Sequence, residues 1–386
     1  MSKEIQSNTD ERHNKYWWIG DLSGAFADLG TFLPLVIGLL LLGDHDPSGL
    51  LIGFGVFAVV TGLVYRRPVP IQPMKVLAAL AIAGGLSAAA LTASGILLGF
   101  TLLFLGISGL IEKLDRLVPR TVLFGLQLGL GVHLIIASVK LTGEGLWIGV
   151  IALAILLALQ ATMLRSISCL MLLVGAVIWS LANSSTAFPP VDAGLHLPSV
   201  ILPDLPAFVE ALEVAYLPQL ALTVTNAVLM TAVLAGEYFP TSKQKITPRK
   251  LALSTGGLNL LLAPFGAIPM CHGAGGLATH YHQGARSGLA PIIFGGCCLM
   301  LGMLLAPKAL AWLMLVPLPV VAAILAYAGF QLAHPKRFVF ISRACLAIVL
   351  STALISVLVN VAAGLVFGLF AEFLRSRIAP LQRPTS

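Results

Sequence analysis

Pro264-Phe-Gly-Ala-Ile-Pro-Met-Cys-His-Gly-Ala-Gly-Gly276 lies between hydrophobic segments that read as membrane helices, yet it cannot be one itself. Two prolines and four glycines forbid a continuous helix. Pro269 lacks an N–H and pushes Ile268 towards extended geometry, so Ala267 to Pro269 reads as a short extended piece, with a new helix starting near Met270. The first amides of that helix have no partner within it and carry the positive end of its dipole. In a bilayer such groups are tolerated only against protein or a water-filled cavity. The simplest reason to build them is to hold an anion.

Pro68-Val-Pro-Ile-Gln-Pro-Met-Lys75 repeats the device, with a helix expected through Ala78 to Ala83. Interrupted helices at corresponding positions of two halves mark the binding site of a secondary transporter. The spacing supports an internal repeat. Pro73-Met74 and Pro269-Met270 lie 196 residues apart, and Val118-Pro119 with Gly131 matches Val316-Pro317 with Gly329, 198 residues on.

The composition agrees. Of 386 residues, 58% are hydrophobic and 10% charged, against about 25% charged in soluble domains. The fold class is therefore an all-α polytopic membrane protein. Its apolar runs give fourteen segments as 7+7 inverted repeats, with segments 3 and 10 broken and meeting at the midplane. The first repeat spans 19–183, with segments at 19–42, 47–65, 69–88, 92–111, 119–139, 145–162 and 167–183. The second spans 207–374, with segments at 207–235, 248–264, 267–283, 286–306, 309–332, 338–353 and 355–374. Residues 1–18 and 375–386 are expected to be cytosolic tails, and 184–206, without Lys or Arg, an external loop.

A cytosolic N-terminus then places Arg66, Arg67, Lys113, Arg116, Arg120, Arg165, Lys243, Lys245, Arg249, Lys250, Arg286, Lys336, Arg337, Arg375 and Arg377 inside, leaving Lys140 and Lys308 outside. That asymmetry is the positive-inside rule. The net charge of +7 thus reports topology rather than a nucleic-acid partner. The five cysteines all fall in apolar segments and indicate neither disulfides nor a metal site, and no cofactor is called for.

At the centre, Lys75 adds a full charge to the two helix starts, and a dianion would complete the set; alternatively Lys75 pairs with Asp28. Gln72 offers amide donors, and His272 is either a ligand or a hydrogen-bonded packing residue. Gly273, Gly275 and Gly276 allow close approach of a ligand or a neighbouring helix. Asp28, inside an apolar run, is a functional candidate with Thr31 on the same helical face, whereas Asp21 reads as solvated or capping. The matching segment of the second half supplies Thr223, Thr225 and Asn226, and Glu237 and Tyr238 at its end read as gating or interfacial. His280, His282 and Arg286 form a basic cluster expected in a polar turn; the HxH spacing could bind metal, but a solvated group is the plainer reading.

These stretches resemble the molybdate transporter family, relatives of the SulP sulfate permeases. The residues that carry the likeness are Gly20-Asp-Leu-Ser-Gly24, Asp28-Leu-Gly-Thr-Phe-Leu-Pro34, Pro70-Ile-Gln-Pro-Met-Lys75, Leu217-Pro-Gln-Leu220, Leu222-Thr-Val-Thr-Asn226 and the opening stretch. The resemblance implies a uracil-permease-type fold, a core domain of segments 1–4 and 8–11 moving as an elevator against a gate domain of segments 5–7 and 12–14, and a homodimer. Many of these relatives carry a regulatory STAS domain after the last helix; with only residues 375–386 following here, none is expected. The expected activity is transport of molybdate or sulfate, not catalysis, in the inner or plasma membrane of a bacterium. The expected substrate-binding set is Thr31, Gln72, Met74, Lys75, Thr225, Asn226, Cys271, His272 and Gly273, with protons carried by Asp28 or His272 and membrane lipid as the surrounding partner. A nucleobase permease on the same fold would carry a glutamate where Thr225 and Asn226 stand. A membrane enzyme would need a catalytic motif such as HExxH or GxSxG, which the chain lacks, and a passive anion channel would use the same electrostatics.

Overall fold

Over most of their described length the apolar runs are helical, and prolines, glycines and capping side chains decide where each helix stops. The computed structural model describes residues 17–42, 45–116, 119–162, 164, 168–183, 196–242, 246–304, 315–333 and 342–378. The N-terminal tail to residue 16, most of the expected external loop, the last eight residues and Val118, Arg165, Lys243, Lys245, Lys308, Lys336 and Arg337 lie outside them.

The first half of the chain contains α1 (Trp17–Ala25), α2 (Leu29–Leu42), α3 (Pro47–Tyr65), the two-residue strand β1 (Gln72–Pro73), α4 (Lys75–Ile82), α5 (Ala88–Ser108), α6 (Arg120–Thr142), α7 (Leu146–Gln160) and α8 (Ser168–Asn183). After it come α9 (Leu205–Tyr238) and α10 (Pro248–Leu262), β2 (Met270–Cys271), α11 (Ala274–His282), α12 (Leu289–Leu304), α13 (Leu318–Ala333), α14 (Arg343–Leu358) and α15 (Val361–Ile378). By length and composition, Pro47–Tyr65, Ala88–Ser108, Arg120–Gln160 and Leu205–Tyr238 can each cross a bilayer.

Local chemistry sets the boundaries. Asp46 accepts from Ser48 N ahead of α3, Ser87 from Ala90 N ahead of α5, and Thr247 from Lys250 N ahead of α10, which supplies partners for otherwise orphaned amides. Ser342 does the same for Cys345 N, so α14 begins about five residues later than hydropathy alone suggests.

One expectation needs correction. The first segment is not one helix: it breaks at Phe26 to Asp28, where Leu29 N bonds Phe26 O at 3.3 Å and Thr31 N bonds Asp28 O at 2.9 Å. Asp28 therefore sits at a corner between α1 and α2 rather than along an apolar helix face. The eighth segment is continuous but carries two π-helical stretches, Leu212–Tyr216 and Thr223–Met230. Such wide turns are rare and favour functional positions.

The helices pack chiefly in pairs. α3 packs on α12 and α5 on α10, while α6 is embraced by α13 and α14, and α14 by α15. A second apolar cluster joins residues of α7, α8 and α13, such as Leu156, Leu173 and Ile324, with Ile37 of α2. At the α6–α13 crossing the repeat landmarks touch reciprocally: a Cβ on Gly131 would lie 2.5 Å from Gly329 O, and one on Gly329 would lie 2.7 Å from Gly131 O. The backbones approach this closely because neither residue has a side chain.

Candidate functional site

The two interrupted segments meet. β1 and β2 pair antiparallel, Gln72 opposite Cys271 and Pro73 opposite Met270, and both strands are buried. The prolines explain why the ladder is so short. Pro73 and Pro269 cannot donate, and neither fits within a helix whose amides must be bonded. Met74 N donates to Pro269 O at 2.9 Å, and Met270 N to Asn259 Oδ1 at 2.8 Å.

The amides of Met74 and Met270 are thus spent on protein acceptors, and the expectation that a helix starts at Met270 is corrected. The second half-helix is α11, capped by Gly273 and starting at Ala274, whereas α4 starts at Lys75 behind its cap Met74. Neither cap residue offers a side-chain bond. In α4, Val76 N is taken by Gln219 Oε1 at 3.0 Å. In α11 the first helical bond is Leu277 N to Gly273 O. Among the described residues, the amides of Ala274, Gly275 and Gly276 have no protein acceptor, and these are the donors an anion would use.

Around this point the structure gathers Asp28, Thr31, Gln72, Lys75, Cys271 and Gly273. Gln72 Nε2 donates a short hydrogen bond to Asp28 Oδ2, so one of the two donors expected for a ligand is used within the protein. Thr31 lies beside the same carboxylate, and Lys75 is within electrostatic reach of Asp28 and of Cys271. Among the described residues Lys75 forms no ion pair, which corrects the alternative in which Asp28 holds it by contact. The glycines are required here. A Cβ on Gly273 would overlap the Gln72 amide, and one on Gly276 would lie 2.7 Å from Gln72 Nε2 and 2.9 Å from Asp28 Oδ2.

The π-helical stretch of α9 packs beside α11 and carries Thr225 and Asn226, both half-buried. Thr225 Oγ1 donates to Ala221 O at 2.7 Å. Two residues not singled out as site residues do much of the positioning. Gln219 is buried, caps α4 and donates to Thr223 Oγ1 at 2.8 Å. Asn259 clamps β2 from both sides, donating to Met270 O at 2.6 Å while accepting from Met270 N. Asn259→Ala would orphan both Met270 groups, and each buried polar group without a partner costs about 1–3 kcal/mol. The expected outcome is a clear drop in the detergent melting temperature together with loss of ligand binding; an unchanged melting curve would contradict the clamp.

His272 and Met74 lie outside the group. Met74 is fully buried. His272 is fully buried with both ring nitrogens engaged: Nδ1 lies 3.1 Å from Pro70 O and Nε2 3.0 Å from Ser254 Oγ, which in turn lies 2.7 Å from the Tyr65 hydroxyl. Phe57 and Tyr65 meet its ring edge to face. It pins β2 to α3 and α10.

His280 and His282 also separate. His280 is 5% exposed, not in a solvated turn, while His282 is exposed. Asp21 is buried and caps the turn before α12, accepting from Arg286 N at 2.8 Å and Ser287 N at 3.0 Å. Tyr238 stacks on Tyr281 at 4.3 Å, and Arg286 lies 3.8 Å above the Tyr281 ring.

A family model described as molybdate transporter of the MFS superfamily matches residues 20–134 and 211–332. Molybdate transporter 2 of Arabidopsis thaliana is 30% identical over 385 residues, covering 85% of this chain and 82% of that protein. Molybdate transporter 1 of the same plant is 29% identical, covering 83% and 80%. Molybdate transporter 1 of Chlamydomonas reinhardtii is 28% identical, covering 94% and 93%. In fold, the chain is similar to the transmembrane domain of a cyanobacterium bicarbonate transporter, BicA, with a TM-score of 0.66 at 16% identity over 90% of this chain and 97% of that one. It is likewise similar to SLC26A9, with a TM-score of 0.68 at 13% identity over 98% of this chain and 68% of that one.

Proposed function

The chain belongs to the molybdate transporter family of integral membrane transporters, and from that membership we propose that it is a secondary active transporter of tetrahedral oxyanions, molybdate foremost and sulfate second. One observation carries the reading. β1 and β2 bring the starts of two half-helices together beside Lys75, and the amides of Ala274 to Gly276 have no acceptor among the described residues. Each helix start contributes about half a positive charge, and the ammonium adds a whole one. A dianion matches that sum.

The inverted 7+7 arrangement of fourteen segments is part of the proposal, supported by the reciprocal contact of Gly131 with Gly329. So is the movement of a core, α1–α5 with α9–α12, against a gate, α6–α8 with α13–α15, for which the pairings α3 with α12 and α5 with α10 on one side, and α6 with α13 and α14 on the other, give support. We place both termini in the cytosol and the protein, as a homodimer, in the inner or plasma membrane. Moving a dianion into a negative interior costs about 2.3 kcal/mol per charge per 100 mV, so coupling to protons is favoured. Of the two groups named above for that role, Asp28 is the one this geometry keeps at the site, tied to Gln72. His272 is a weaker choice because protein atoms hold both its nitrogens.

The test is competition for labelled molybdate uptake into proteoliposomes. Tungstate and sulfate are expected to compete and uracil to have no effect. Uracil competition would favour a nucleobase permease. Accumulation above electrochemical equilibrium is expected too, and a passive channel would fail to produce it.

A further inference from the structure

Asp28 belongs to two places at once. Besides the cluster around Gln72, it lines a small cavity whose other polar member is His280, the remaining wall being apolar, with Phe32, Ala58, Ile71, Pro291 and Phe294. His280 Nδ1 is fully buried and has no hydrogen-bond partner among the described residues. Buried polar atoms are nearly always paired, so an unpaired one requires an explanation. The cavity is lined by one carboxylate and one imidazole side chain. An anion would face the Asp28 carboxylate, and hard metal cations need several oxygen ligands that this wall does not supply. A proton needs only the pair.

We propose that His280 is the residue that takes up the proton accompanying the oxyanion, and that it shares this charge with Asp28 across the cavity. This rests on the transport function proposed above. The proton adds to the lone pair of the imidazole, no covalent bond breaks, and the ring becomes a cation. That cation offsets the Asp28 charge next to the bound dianion, so protonation tightens oxyanion binding, and by linkage the oxyanion tightens proton binding equally. The charged groups facing His280 are few. Asp28 faces it from the corner between α1 and α2, and Asp21 of α1 acts on it electrostatically while held by the amides of Arg286 and Ser287. α3, α12 and the residue before β1 present Ala58, Pro291, Phe294 and Ile71 to the cavity, none of them titratable. His282, two residues on, is exposed and takes no part in it.

The experiment is molybdate uptake by proteoliposomes between about pH 4 and 8, a range that takes in the titration of buried histidines, alongside equilibrium molybdate binding by the purified protein. Wild-type uptake is expected to rise about tenfold towards the acid end. His280→Gln should flatten the profile to within about twofold while still binding molybdate. His282→Gln should keep the wild-type profile. A wild-type profile in His280→Gln, or a flat one in His282→Gln, overturns the assignment. Should His280→Gln fail to fold, proton uptake by the wild-type protein on adding molybdate in weakly buffered detergent decides instead: uptake supports the proposal and its absence overturns it. If the wild-type protein does not bind molybdate, the transport function falls and this inference with it, whereas binding with an unaltered His280→Gln profile removes this inference alone.

Discussion

Lys75→Ala is expected to weaken molybdate binding by roughly 10- to 100-fold, because hydrogen bonds to a charged group are worth about 1.5–3 kcal/mol and each 1.4 kcal/mol is a factor of ten. The fold should survive. Lys75 forms no ion pair among the described residues and is only partly buried, so no partner is left stranded when its charge is removed. Equilibrium binding of labelled molybdate, read beside a melting curve of the same sample, separates affinity from stability. Wild-type affinity in a well-folded variant would remove Lys75 from the site.

Gly273→Ala is the second large effect. A methyl group there occupies the space of the Gln72 amide, so Gln72 must leave Asp28 or β1 must shift, and overpacking of this kind costs about 1–3 kcal/mol. Uptake should fall by more than about tenfold, since the amides that follow Gly273 move with it. The effect should depend on its neighbour. In a Gln72→Ala background the same glycine substitution meets no amide, and its additional cost should shrink, as coupled positions do in a double-mutant cycle. Equal costs in both backgrounds would show that the glycine acts through backbone freedom instead.

What could be read from the chain was what proline and glycine dictate locally. Pro73 and Pro269 forbid helix, and from them the two interruptions follow, whereas their pairing as a ladder is visible only in the fold. The positions of the helix starts were less legible. The Pro-Met pairs look equivalent, yet α4 begins one residue after Met74 and α11 four residues after Met270, because Asn259 draws Met270 into the strand. That partner lies on another helix and leaves no local pattern. The break at Asp28 leaves no such mark in the sequence, because Phe26 to Asp28 contains no breaker residue. The histidines exchanged roles for a similar reason: His272 sits beside the interruption but faces Ser254 and Pro70, while His280 looks like part of a surface basic run and is buried. Spacing along a helix gives a face, and only the neighbours decide what that face meets.

The ladder between β1 and β2 has a mechanical consequence. Pro269 O, Met74 N and the facing backbone of Gln72 and Cys271 tie the two half-helices end to end, and severing those bonds away from water would orphan several groups at once. On the proposed cycle the cradle therefore cannot unlatch to release its passenger. It has to ride across intact, like a berth inside a moving car, and the exits must be opened and shut by the walls it slides past.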